Sequence, residues 1–134
     1  MAITVSEVQV TWAAANSVSI AAGGNDTSDA FVVDETCFQG TIQLKADNDG
    51  EPAAGDIVTF NLLATLGDPD GAGANEYGTT LQDTQLAALD TLRDDPAICT
   101  VQIPLPLVGG KIYAANGSAG RAITVSACLL EQRG

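Results

Sequence analysis

Apolar and polar residues alternate with a period of two through most of this chain, the spacing at which successive side chains point to opposite faces of a β-strand. Ile123, Val125, Ala127 and Leu129 form the cleanest run, which predicts a central or well-paired strand. Ile42, Leu44 and Ala46 alternate with Thr41, Gln43 and Lys45, and Val58, Phe60, Leu62 and Ala64 alternate with Thr59, Asn61, Leu63 and Thr65. Shorter runs occupy Val18, Ile20 and Ala22, then Phe31 and Val33, then Ile112 to Ala114. Between Ile3 and Trp12 the phase flips at Ser6-Glu7, where a β-bulge would restore one inward face.

Two segments need more than alternation. In "TLQDTQLAALDTL" (80–92), Leu81, Leu89 and Leu92 share a helical face while Leu86, Ala88 and Leu92 fit a strand. The β character of every neighbour favours the strand. Val101 and Ile103 precede the prolines Pro104 and Pro106, which cannot donate to a ladder, so this run predicts an edge strand. Gly, Asn, Asp and Pro punctuate the runs at intervals of roughly 10–15 residues, the mark of an antiparallel sandwich or barrel. The reading is an all-β fold: an antiparallel β-sandwich, jelly-roll or Ig-like, of about eight short strands. One domain spans residues 1–134, with 1–12 as an N-terminal contact arm or strand. Aromatics are only 4% of residues, so Val, Ile, Leu and Ala must build the core between two thin sheets.

Composition narrows the classes of function. Apolar residues at 46% and charged residues at 16% suit a soluble globular domain, and no run reaches the roughly 20 apolar residues of a membrane-crossing helix. Seventeen acidic residues against five basic ones give a net charge of −12, which repels phosphate backbones and anionic lipid surfaces. Neither nucleic acid nor a membrane is expected as a partner. Met1 to Val10 lacks a basic stretch followed by a continuous apolar one, so synthesis and folding in a cytoplasm are expected. Cys37, Cys99 and Cys128 match no zinc or redox spacing; buried thiols fit a reducing compartment better than a disulfide, though a Cys–Cys pair stays open. The chain has no histidine, which removes imidazole bases and the commonest metal ligand.

The acidic stretch "KADNDGEP" (45–52) invites a calcium reading. A helix–loop–helix site needs oxygen at its first position and a helical flank. Here Lys45 takes that position and residues 41–46 read as strand, so "DNDG" is read as a turn. Asp47, Asp49 and Glu51 remain as a weak cation alternative, and no cofactor is expected. "GDPDGAGANEYG" (67–78) is an acidic glycine-rich loop, read as a recognition or contact loop through Asp68, Asp70, Glu76 and Tyr77; pairing its carboxylates for glycoside cleavage lacks specificity. "VGGK" (108–111) fails as a phosphate loop because Leu105 and Ile112 occupy required Gly and Ser/Thr positions. Asn25 and Asn116 begin glycosylation sequons, without meaning unless the chain is secreted by a eukaryote. No catalytic residue is assigned and the chain is not read as an enzyme.

From "LKADNDGEPAAGDIVTFNLLATLGDPDGAGANEYGTT" (44–80), through "RDDPAICTVQIPLP" (93–106), to "GKIYAANGSAGRAITVSA" (110–127), the chain resembles a group of small virion structural proteins of tailed bacteriophages. The resemblance implies a capsid decoration (cement) protein on the head surface, made in the host bacterial cytoplasm. It implies the major capsid protein as partner, and a second or third copy of the chain on the particle. Candidate contact residues are then Trp12, Asp68, Asp70, Glu76, Tyr77, Pro104 and Pro106. The rival reading is a tail- or fibre-associated sandwich that binds host-surface carbohydrate. Sugar platforms need exposed aromatics, and Trp12, Tyr77 and Tyr113 are the available Trp and Tyr residues.

Overall fold

Strands that are apolar on alternate positions must bury one face, and here two sheets bury theirs against each other. The computed structural model describes residues 2–65, 84–105 and 107–134. They form β1 (Thr4–Val10), β2 (Val18–Ile20), β3 (Asn25–Thr27), β4 (Phe31–Val32), β5 (Cys37–Asn48), β6 (Ile57–Thr65), β7 (Thr84–Asp90), β8 (Ala97–Gln102), β9 (Gly109–Asn116) and β10 (Ile123–Arg133). All pairings between these strands are antiparallel.

β1 and β2 lie end to end along β10, and β3 and β4 lie end to end along β9. Taking each pair as one interrupted strand, the sheets run β1/β2-β10-β5-β8 and β3/β4-β9-β6-β7. The pairing is nested: the first ribbon with the last, the second with the next to last, inward to β6 with β7. A single long hairpin rolled into two sheets gives this order, so the jelly-roll alternative holds over the Ig-like one.

The core is mainly aliphatic, with Trp12, Phe31 and Phe60 as its aromatic members. Ile42, Leu44 and Ala46 on β5 and Ile123, Val125 and Leu129 on β10 face Val58, Phe60 and Leu62 on β6 and Ile112 and Ala114 on β9, all within 1% of full burial. Each large side chain of this kind contributes roughly 1.5–3 kcal/mol by leaving water. β10 is central, as its alternation predicts, and β8 is an edge strand, paired among the described strands with β5 alone.

Two expectations about phase are corrected. No bulge interrupts β1: its register with β10 runs unbroken from Thr4↔Arg133 to Val10↔Ala127. The flip at Ser6-Glu7 instead leaves Ile3 and Val5 on the outer face, 65% and 64% exposed. In β7 the strand is present, but its inward residue is Leu89, while Ala88 is exposed. A register shift between Phe60 and Asn61 leaves Leu86 as the extra residue, and Leu92 falls outside the strand and is 53% exposed.

The glycines of "VGGK" serve close packing. Gly109 and Gly110 pair with Val32 and Phe31, and a Cβ on Gly109 would run into the Phe31 carbonyl oxygen. Only glycine lets β4 approach β9 here.

Candidate contact surface

The two ends of the sandwich differ in chemistry. At one end, four connections are tied by buried polar side chains. Asp56 is 1% exposed; its carboxylate accepts hydrogen bonds from Ser118 Oγ (2.7 Å), Asn48 Nδ2 (3.0 Å) and the Ala53 amide (3.0 Å), with Arg121 Nε at 3.7 Å. The Ser118 hydroxyl above all, with the Ala53 amide, Asn48 and Arg121, holds the Asp56 carboxyl below the usual carboxylate range despite burial. Asn48 also donates to Thr91 Oγ1, and Thr91 donates to the Asp56 carbonyl. The Asn116 amide donates to the carbonyls of Ile20, Ala21 and Arg121. The β2–β3, β5–β6, β7–β8 and β9–β10 connections are thus locked together, with the Asn116 of the second sequon buried inside the lock.

This explains the stretch "KADNDGEP". Gly50 N donates to Asn48 Oδ1, the bond of an Asx turn, and the two oxygens of Asp49 accept from Ser19 Oγ (2.6 Å) and Thr124 Oγ1 (2.7 Å). The chain turns a corner there. Asp47, Asp49 and Glu51 are each exposed, and among the described residues no three His, Cys, Asp or Glu side chains gather as a metal ion would require.

The opposite end is apolar. Five exposed large hydrophobics lie there: Ile3, Val5, Val32 (72%), Phe38 (54%) and Val108 (41%). Val32 pairs with Gly109 beside Val108, and Phe38 follows Cys37, which lines the same depression; Ile3 and Val5 stand at the same end on the outer face of the first sheet, since Thr4 and Cys37 both pair with Arg133. A cavity of about 550 Å³ opens among Val32, Val33, Cys37, Leu105, Leu107 and Val108, with Asp34 and Glu35 on its lining. Leu105 also borders an open groove beside Phe38, Ile103 and Pro104, so the two depressions form one surface. Contiguous exposed apolar surface on this scale marks an interaction site rather than scattered surface residues.

Carboxylates frame it. Asp34 accepts from Thr36 Oγ1 and N through one oxygen and from Arg133 Nη1 (2.9 Å) through the other; the Thr36 bonds first, then Arg133, lower its pKa. Glu131, 2% exposed, accepts from the Asp34 amide. Burial first, then the Glu131 charge, pushes the Cys37 thiol up. Burial likewise raises Cys99, and burial together with the neighbouring Glu7 carboxylate pushes Cys128 up to about 11. All three cysteines are free thiols.

The candidate contact residues divide. Pro104 is exposed in the groove beside Phe38. Trp12 is 2% exposed and belongs to the core, so it is a packing anchor and not a contact residue. Its indole Nε1 is buried without a hydrogen-bond partner among the described residues. Asp68, Asp70, Glu76, Tyr77 and Pro106 lie outside the described residues. Tyr113, the remaining aromatic candidate, is half-buried on β9. The sequence reading missed Val32, Phe38 and Val108. Its one available signal was unbroken apolar runs, "FVV" (31–33) and "LVGG" (107–110), which cannot place every residue inward.

No family model matches the chain, and no curated protein matches it. Solved structures do. The crystal structure of BuGH86E322Q in complex with neoagarooctaose matches 99% of this chain at a TM-score of 0.52 and 12% identity, with the chain spanning 20% of that protein. This likeness shows the β-sandwich fold. A Family 16 Carbohydrate Binding Module-2 matches 87% of this chain and 79% of its own at a TM-score of 0.46 and 12% identity. A structure from Bacillus endospore appendages, which form disulfide-linked pili, matches 98% of this chain and 87% of its own at a TM-score of 0.42 and 11% identity.

Proposed function

We propose that the protein is a virion structural component of a tailed bacteriophage that decorates the outer surface of the assembled head and stabilises it. The observation that carries this reading is the contiguous apolar surface at one end of the sandwich, opposite a polar end sealed by its own hydrogen bonds. Such a molecule has one end fitted for contact and one fitted for water. The sequence resemblance to tailed-phage virion proteins supports the same role. The described carboxylates with lowered pKa, Asp29, Asp34 and Asp56, are spent on bracing turns and loops, which suits a binding module better than a catalyst. Decoration works by repetition: many modest contacts across a lattice sum to strong retention, and clustering of two or three copies on the shell adds to them.

The test is to mix the purified protein with mature heads, or with shells of the major capsid protein, and image them by cryo-electron microscopy. Density repeating over the icosahedral lattice is the expected result. Density confined to the tail, or none, overturns the proposal. It would turn attention to glycan binding at the mixed groove between Glu7, Gln9, Gln43, Lys45, Ile98 and Cys128 on the outer face of the first sheet.

A further inference from the structure

We infer that the cavity between the β4–β5 and β8–β9 connections receives an aliphatic or aromatic side chain from a basic segment of a different protein. The inference deepens the decoration proposal by giving its partner a chemistry, and rests on it only for that partner's identity.

Shape and polarity define the anchor. Val33 and Leu107, 5% and 8% exposed, are the deeply buried residues of the lining, and the exposed Val32 and Val108 stand beside them. A space of about 550 Å³ walled by valine, leucine and a neutral thiol has room for one or two large apolar side chains and few groups to hydrogen-bond anything polar.

Charge defines what flanks the anchor. Glu35, Asp34 and Glu131 place three carboxylates around or directly behind this cavity, against the single guanidinium of Arg133. A lysine or arginine beside the inserted side chain would meet a net negative rim, and an acidic neighbour would be repelled. The same argument disfavours two other occupants, a second copy and residues 66–83 of this chain. A second copy carries a net charge of −12, and residues 66–83 of this chain hold Asp68, Asp70, Glu76 and Asp83 with no basic residue.

The experiment is a methyl-detected NMR titration of the intact protein with two acetylated peptides, Lys-Leu-Lys-Leu-Lys and Glu-Leu-Glu-Leu-Glu. The expected result is movement of the Val32, Val33, Leu107 and Val108 methyl signals with the basic peptide alone, weakened at least threefold in 0.5 M salt and in Glu35→Lys. Val108→Asp, at a position exposed enough to leave folding intact, should abolish it. Equal movement with both peptides, or none with either, overturns the inference. So do concentration-dependent shifts without peptide, which would assign the cavity to a second copy, and cross-peaks to residues 66–83 in the free protein, which would assign it to the chain itself. Rebinding to heads separates the two proposals. If Val108→Asp and Glu35→Lys coat heads as the unaltered protein does, the cavity assignment fails and decoration stands. If the unaltered protein fails to coat heads while the basic peptide binds, decoration fails and the cavity stands.

Discussion

At the scale of single residues, stability is concentrated in a few polar side chains that seal the clasped end. Asn48→Ala removes the donor shared between Asp56 and Thr91 and the acceptor for Gly50, and should cost about 1–3 kcal/mol in chemical denaturation. In the core, Phe60→Ala leaves a cavity between tightly packed sheets and should cost about 3–5 kcal/mol. Titration follows from the same contacts. Asp29, Asp34 and Asp56 have folded pKa values below the ordinary carboxylate value of 3.8, chiefly through hydrogen bonds that favour the charged form. The fold therefore gains stability from them above pH 4 and loses it as pH falls through the lowered values. Melting temperature should drop on acidification below about pH 4, and Asp56→Asn should flatten part of that drop while lowering stability at pH 7. Cys128 behaves in the opposite sense, its protonated form being favoured to about pH 11. At pH 8 it should alkylate roughly 10–100-fold more slowly than a free thiol, as read by mass spectrometry.

At the scale of elements, the turn between β1 and β2 is built against the preferences of its residues. Trp12 and Ala15 exchange two backbone hydrogen bonds across Ala13 and Ala14, whose φ angles are +49° and +67°. A turn with positive φ at both central positions favours Asn-Gly, and alanine costs roughly 1 kcal/mol at each. Asp29 holds this conformation by accepting from Thr11 Oγ1 and the Ala14 amide. Ala13→Asn with Ala14→Gly should raise stability by about 1–2 kcal/mol, measured by urea denaturation. The period-two alternation showed the long strands because β5, β6 and β10 each bury one face. It failed where other physics decides orientation. β1 is an edge strand whose outer-face residues Ile3 and Val5 are exposed, so the phase flip could persist, and the slip in β7 depends on its pairing with β6. Buried polar residues such as Asn48, Asp56 and Asn116 look in sequence like any turn residue; their roles depend on partners up to 96 residues away. The contact surface was hidden for the same reason: that Val32, Phe38 and Val108 border one surface depends on how β4, β5 and the β8–β9 connection come together.

For the molecule as a whole, the rolled hairpin sets how it answers force. Thr4, near the start of β1, pairs with Arg133 at the end of β10, so residues from opposite ends of the chain sit side by side. A load drawing these two residues apart acts along the ladder's hydrogen bonds and meets them one rung at a time, instead of shearing all seven residue pairs from Thr4↔Arg133 to Val10↔Ala127 together. β1 would peel like a zip at low tension while the nested inner ribbons stay closed. Anything tethered through residue 4 and residue 133 would therefore yield gently and re-close, whereas a pull directed through the clasped end would meet the interlocked loops at once.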